Sequence, residues 1–147
     1  VLLDKIKVTD IQVKVQAEDW EDAIRKSSTI LLEADAIDLR YVEAMIQVVK
    51  DNGPYIVISR HIALAHAQSK HGVKAQGLSF TTLEPPVPFG AKGMDPVKLV
   101  ITLAATDQNA HIDLLSEVAD ILIDESKVGQ LFEAGSREEF LAVIIGN

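Results

Sequence analysis

Four side chains in this sequence are well suited to chemistry: His61, His66, His71 and His111. An imidazole gains or loses a proton near neutral pH. When neutral it is a good nucleophile toward phosphorus. The phosphorylated ring remains a good leaving group, so a phosphoryl group can be taken up and handed on. Spacing alone does not choose among the histidines. His61, His66 and His71 recur every five residues, and neither helix nor strand periodicity puts that spacing on one face. A metal site would more naturally show an i, i+4 pair with a carboxylate nearby, so no metal is expected. A solvated loop side chain is the simplest reading of His61 and His71. His111 has a physical case of its own, because it falls in the first turn of a predicted helix after Asp107 and Asn109. The positive end of the helix dipole disfavours imidazolium there. A neutral ring, with the backbone N–H groups of the helix start, suits an anion. The alternative is a first-turn histidine that faces water.

Other chemistries lack their signatures. There is no cysteine, which removes disulfides, thiolate zinc sites and thiol nucleophiles. Neither a GxxxxGK[ST] phosphate loop nor a GxSxG nucleophile elbow is present. Serines and carboxylates are plentiful, but no cluster sets a serine beside a base.

The elements that must position the histidines follow from periodicity. Ile11, Val13 and Val15 alternate with polar residues, which predicts a half-buried strand. Trp20, Ala23, Ile24, Ser27, Leu31 and Ala34 share one helical face. Asp38 caps a second helix carrying Val42, Met45, Ile46 and Val49, and Asn52-Gly53-Pro54 ends it. Tyr55 to Ile58 reads as a short buried strand, and His61 to Gly72 as a polar connection. Val73 to Leu83 reads as a further strand, followed by an extended proline loop, Glu84-Pro85-Pro86-Val87-Pro88. Val97 to Ala105 is nearly all apolar, as in a strand buried on both faces. Asp107 or Asn109 then caps a helix with Ile112, Leu115, Val118, Ala119 and Leu122 inward. Ser136 and Glu139, at capping-box spacing, open a last helix through Phe140 and Ile144. The alternation of strands and helices predicts an α/β fold with a mostly covered sheet.

The length of 147 residues suits one domain, 1–147. With 48% hydrophobic residues a core can form without staples. The net charge of −8 and the lack of a basic patch argue against nucleic acid and favour a protein partner. No apolar run approaches a membrane span, so no membrane insertion is expected. Val1-Leu2-Leu3-Asp4-Lys5 reads as too short and too charged for a signal peptide.

The stretch Gly53-Pro54-Tyr55-Ile56-Val57-Ile58-Ser59-Arg60-His61-Ile62-Ala63-Leu64-Ala65-His66 resembles the active-site segment of the mannitol/fructose class of enzyme IIA proteins. Those proteins belong to the phosphoenolpyruvate-dependent sugar phosphotransferase system. Further landmarks fall in the order that family would have them: Gly72-Val73, Phe89-Gly90, Val97 to Ala105 with Asp107, and His111. Trp20 to Ala23 and Tyr41 to Met45 extend the likeness toward the front. The ascorbate-type branch is the most similar, chiefly through Gly53-Pro54-Tyr55. The resemblance implies a mixed β-sheet flanked by helices and a cytoplasmic phosphocarrier with no cofactor. It implies a phosphoryl group taken from HPr, passed to enzyme IIB and used by a membrane enzyme IIC, with ascorbate or a related substrate. By position, His66 is the phosphorylated nucleophile, through Nε2, and His111 is the second active-site histidine. The other nitrogen of His66 should then be held by a backbone carbonyl or similar acceptor.

The pattern differs from the family's in three places. Ala65 stands where proline is usual, which removes a stiffening residue before His66. Arg60 and His61 stand where Pro-Gly is common. The lost glycine implies that position 61 does not need a positive φ, or that the turn has changed shape. Val48 and Val49 stand where mannitol-type members carry Arg-Glu. Arg60 or His61 is therefore expected to take over part of the phosphate support. An active carrier is the expected function. An enzyme IIA-like regulatory interaction module with little or no phosphotransfer is the alternative. A metal-dependent hydrolase would need a metal among His61, His66 and His71.

Overall fold

The chain, described over residues 2–146 in a computed structural model, begins its sheet with β1, Ile11–Val15. A helical layer follows: α1 (Trp20–Ser27), α2 (Thr29–Glu33) and α3 (Leu39–Asn52). Asp19 caps α1 by accepting the Asp22 N–H, and Asp38 caps α3 by accepting the Arg40 N–H. Gly53, at φ 84°, ends α3 in a conformation that a side chain would resist. The single helical face expected over Trp20 to Ala34 is broken in two at Ser28. There the hydroxyl donates back to the Ile24 carbonyl, a local bond that competes with a straight helix.

Four strands complete the sheet: β2 (Val57–Ser59), β3 (Ile62–Ala65), β4 (Gly77–Val87) and β5 (Val97–Ala104). Their spatial order is β1-β4-β5-β3-β2. The β1/β4 and β3/β5 pairs are parallel, while β4/β5 and β2/β3 are antiparallel. Three more helices close the other side: α4 (Gln108–Leu122), α5 (Glu125–Glu133) and α6 (Arg137–Ile145). Alternation along β5 divides the core. Val100 and Ala104 join Ile24, Tyr41 and Met45 of the first helical layer. Leu99, Ile101 and Leu103 join Leu114, Leu131 and Phe140 of the second. The mixed sheet flanked by helices agrees with the expected fold class. No helix among the described residues is long and apolar enough to cross a membrane.

Several local expectations are corrected. The supposed polar connection His61–Gly72 contains β3, whose four residues are all buried. Four residues were too short a run to show against the polar residues around them. The strand expected at Tyr55–Ile58 lies two residues later and forms the sheet edge, so Tyr55 and Ile58 are exposed. The strand expected from Val73 begins at Gly77 and runs through Pro85 and Pro86 to Val87. Those prolines have no N–H to offer, and the β4/β5 register shifts between Thr82 and Val87. In α4 Val118 is buried and Leu115 and Leu122 pack against the same core, as expected, but Leu114 and Ile121 are the other buried residues, and Ile112 and Ala119 are exposed. Helix α5, capped by Asp124, was not anticipated.

Candidate active site

Two parallel neighbours, β3 and β5, end side by side, with Ala65 opposite Thr102. His66 is the first residue after β3. After β5 the chain passes Ala105 and Thr106 to Asp107, whose carboxylate accepts the Ala110 N–H and starts α4. His111 follows one turn into that helix. The topology thus brings together two histidines 45 positions apart in sequence. Their ring centroids are 5.5 Å apart, and the Tyr55 ring stands edge-on to His66 at 6.1 Å. All three line one cleft of about 640 Å³.

His66 is oriented by its own strand. Its Nδ1 lies 2.9 Å from the Leu64 carbonyl oxygen. A carbonyl only accepts, so Nδ1 carries the proton in the neutral ring and Nε2 keeps its lone pair. The acceptor expected for the second ring nitrogen is therefore present. The pKa of His111 is lowered below the ordinary 6.5, first by burial and then by the nearby His66. A depressed pKa keeps its ring neutral near pH 7, able to donate one hydrogen bond or accept one. The start of α4 adds the N–H groups of Gln108 and Asn109, which have no partners within a helix, and the positive dipole end.

The segment after His66 is tied to α3. The buried Tyr41 hydroxyl accepts the Ala67 N–H at 3.0 Å and donates to the Leu103 carbonyl at 2.7 Å. Burial pushes this phenol up to about 12, so it remains a donor at physiological pH. One hydroxyl thus joins α3, the end of β5 and the residue after His66. Sequence reading missed this, although a buried tyrosine implies a partner for its hydroxyl. It also missed Lys70, four residues beyond His66 and on the cleft wall.

Arg60 and His61 are not in the cleft. They form the β2–β3 turn, at the opposite end of β3 from His66. Five extended residues span roughly 16 Å, so the expected phosphate support from Arg60 or His61 is contradicted by distance. The His61 Nδ1–H donates to the Pro96 carbonyl at 2.7 Å, and its ring stands edge-on to Phe132. His61 has φ 72°, so the position does need positive φ despite the missing glycine. Bonds from its N–H to Met94 and from Lys98 and Leu99 to its carbonyl hold the turn. His71 lines the cleft from a 3-10 turn, Ser69–His71. Val48 forms part of the cleft wall, so α3 presents no cation to the cleft at that position. Among the described residues, no group of three or more His, Cys, Asp or Glu side chains could hold a metal ion.

The family model described as "Phosphoenolpyruvate-dependent sugar phosphotransferase system, EIIA 2" matches residues 5–146. The ascorbate-specific PTS system EIIA component of Escherichia coli K12 is 33% identical over 135 residues, covering 91% of this chain and 88% of that protein. The solution structure of the mannitol-specific cryptic phosphotransferase enzyme IIA CmtB from Escherichia coli superposes with a TM-score of 0.88. It is 30% identical and covers 98% of both chains. Enzyme IIA of mannitol, solved in complex with phosphorylated enzyme IIB from Escherichia coli, gives a TM-score of 0.82 at 26% identity. That match covers 97% of this chain and 98% of the other. The chain belongs to the EIIA 2 family of the phosphoenolpyruvate-dependent sugar phosphotransferase system.

Proposed function

We propose that this chain takes a phosphoryl group from HPr on His66 Nε2 and passes it to an enzyme IIB in the cytoplasm. The group then serves uptake of ascorbate or a related substrate through a membrane enzyme IIC. The observation that carries the reading is the His66 Nδ1–H bond to the Leu64 carbonyl. It leaves the Nε2 lone pair as the nucleophile in a cleft shared with a neutral His111. The ascorbate preference rests on the 33% identity to the ascorbate-specific component. The IIB partner rests on the solved complex of a relative.

The transfer balances simply. The Nε2 lone pair forms a bond to phosphorus as the donor's P–N bond breaks, and that electron pair returns to the donor imidazole. His66 keeps its Nδ1 proton and becomes a phospho-imidazolium. The Leu64 carbonyl then accepts from a positively charged ring, and a charge-assisted hydrogen bond is stronger than a neutral one. His111 and the α4 N-terminus meet the negative charge spread over the phosphoryl oxygens. Transfer to IIB reverses the step: the acceptor's lone pair bonds to phosphorus as the Nε2–P bond breaks, and the neutral His66 imidazole is the leaving group.

The test is incubation with phosphoenolpyruvate, enzyme I and HPr, followed by intact-mass measurement. An acid-labile gain of one phosphoryl group is expected, and His66→Ala should abolish it. No gain in the unaltered protein would favour the regulatory-module reading instead. A gain that survives His66→Ala would reassign the site.

A further inference from the structure

We infer that Lys70 is the cation that contacts the phosphoryl group on His66, a role that rests on the phosphocarrier reading above. A phosphoryl group brings close to two negative charges. His111 supplies a neutral ring, and the helix start supplies partial charge only. Lys70 is the sole lysine or arginine among the residues lining the cleft.

Three further observations point the same way. Lys70 has no hydrogen-bond or ion-pair partner among the described residues. By contrast, Arg40 and Lys74 are paired with Asp38 and Asp35. An unpaired ammonium needs no existing bond broken before it meets an anion. Second, the backbone that carries it is fixed at both ends. Tyr41 holds Ala67, and the Asp38 N–H donates to the Gly72 carbonyl at 3.0 Å. Gly72, at φ 130°, packs so closely that a Cβ there would collide with the Asp38 carboxylate. Within the span the His71 N–H donates to Gln68, and the Gly72 and Val73 N–H groups donate to Ser69. The Lys70 Cα is therefore set relative to His66, while its long side chain stays free to swing. Third, two other ionisable groups on the cleft wall do not compete. His111 is held neutral near pH 7, and the Asp107 carboxylate is engaged at the α4 cap. That carboxylate is also an anion close to the incoming one, which increases the need for a nearby cation.

The experiment compares the full chain with Lys70→Met and Lys70→Arg after phosphorylation by phosphoenolpyruvate, enzyme I and HPr. ³¹P NMR then follows ionisation of the phosphoryl group with pH. An ammonium about 5 Å away in a half-open cleft favours the dianion, so Lys70→Met should raise the midpoint by roughly 0.5 unit or more. Lys70→Arg should restore it. Transfer from HPr should slow about threefold or more in Lys70→Met and recover in Lys70→Arg. An unchanged midpoint in Lys70→Met overturns the contact. Slower transfer with an unchanged midpoint also overturns it, because Lys70 then serves donor docking alone. If unaltered protein forms no phosphohistidine, the phosphocarrier reading fails and this inference fails with it. If it does form one and Lys70→Met behaves identically, only the role of Lys70 fails.

Discussion

Removal of the Tyr41 hydroxyl should loosen the site without touching its histidines. In Tyr41→Phe the ring still fills its buried place, but two bonds go: the donation to Leu103 at 2.7 Å and the acceptance from Ala67 at 3.0 Å. A net hydrogen bond contributes about 1 kcal/mol, and a buried partner left unsatisfied costs about 1–3 kcal/mol. Leu103 is fully buried, whereas Ala67 is partly exposed and can find water. The sum is then about 2–3 kcal/mol, nearly all from the Leu103 side. For a chain of this length that lowers Tm by roughly 6–10 °C. Function should suffer separately, because Ala67 adjoins His66. A displacement near 1 Å can cost about 100-fold in a step that depends on positioning, so a partial loosening should slow phosphorylation by about tenfold. The assays are thermal denaturation and the initial rate of phosphoryl uptake from HPr at saturating and limiting donor. A change in maximal rate, with little change in the donor concentration for half-saturation, would mark positioning rather than docking. Tm within 2 °C of the unaltered protein together with an unchanged rate would refute the reasoning. A fall in Tm alone would leave Tyr41 a purely structural tie.

Three other outcomes follow from the same structure. The Tyr41 phenol, pushed up to about 12 by burial, has a folded pKa above its unfolded value of 10.0. Its contribution is therefore fully present below pH 10 and lost as pH rises through about 12, by an amount of order 2 kcal/mol. Tyr41→Phe should lack this part of the alkaline decline in a pH series of urea melts. His111 has a depressed pKa, so the unfolded chain takes up its proton first as pH falls from 6.5. Stability from this residue is present above 6.5 and declines as pH drops through the folded value. NMR titration should place His111 below 6.5, and His66→Ala should raise it while burial keeps it depressed. Asp95 accepts N–H bonds from Phe89, Gly90 and Ala91, so Asp95→Ala should cost about 2–4 kcal/mol. Phe89 packs against Trp20, so Trp20 fluorescence should change while phosphorylation of the folded variant does not.

The sequence made long, strongly patterned elements legible. Asp38, Asp107 and Ser136 mark their helix starts as caps should, and the apolar run of β5 is the buried strand it promised to be. Strand β3 was hidden because four residues carry too little periodicity, and its burial depends on β5, whose paired residues lie 37 positions away. The same omission misplaced Arg60 and His61. They were offered in place of the arginine missing at Val48 and Val49, but strand β3 separates them from His66. His66 was reached through the likeness of its whole segment to a family, since three histidines at equal spacing gave no choice. His111 stood out by its helix start, with a ring facing water as the alternative, and the structure sets it beside His66. Tyr41 and Lys70 were not, because a hydroxyl that joins α3 to β5 and a cation that faces a cleft are facts of packing.

The central claim concerns one atom, His66 Nε2, and histidine ¹H–¹⁵N NMR before and after phosphorylation by phosphoenolpyruvate, enzyme I and HPr tests it directly. Before the reaction His66 should show its proton on Nδ1, as the Leu64 bond requires. Afterwards a phosphorus coupling should appear at Nε2 of His66 and at no other histidine. A proton on Nε2 in the resting ring, or phosphorus bound at Nδ1 or at His61, His71 or His111, would contradict the account.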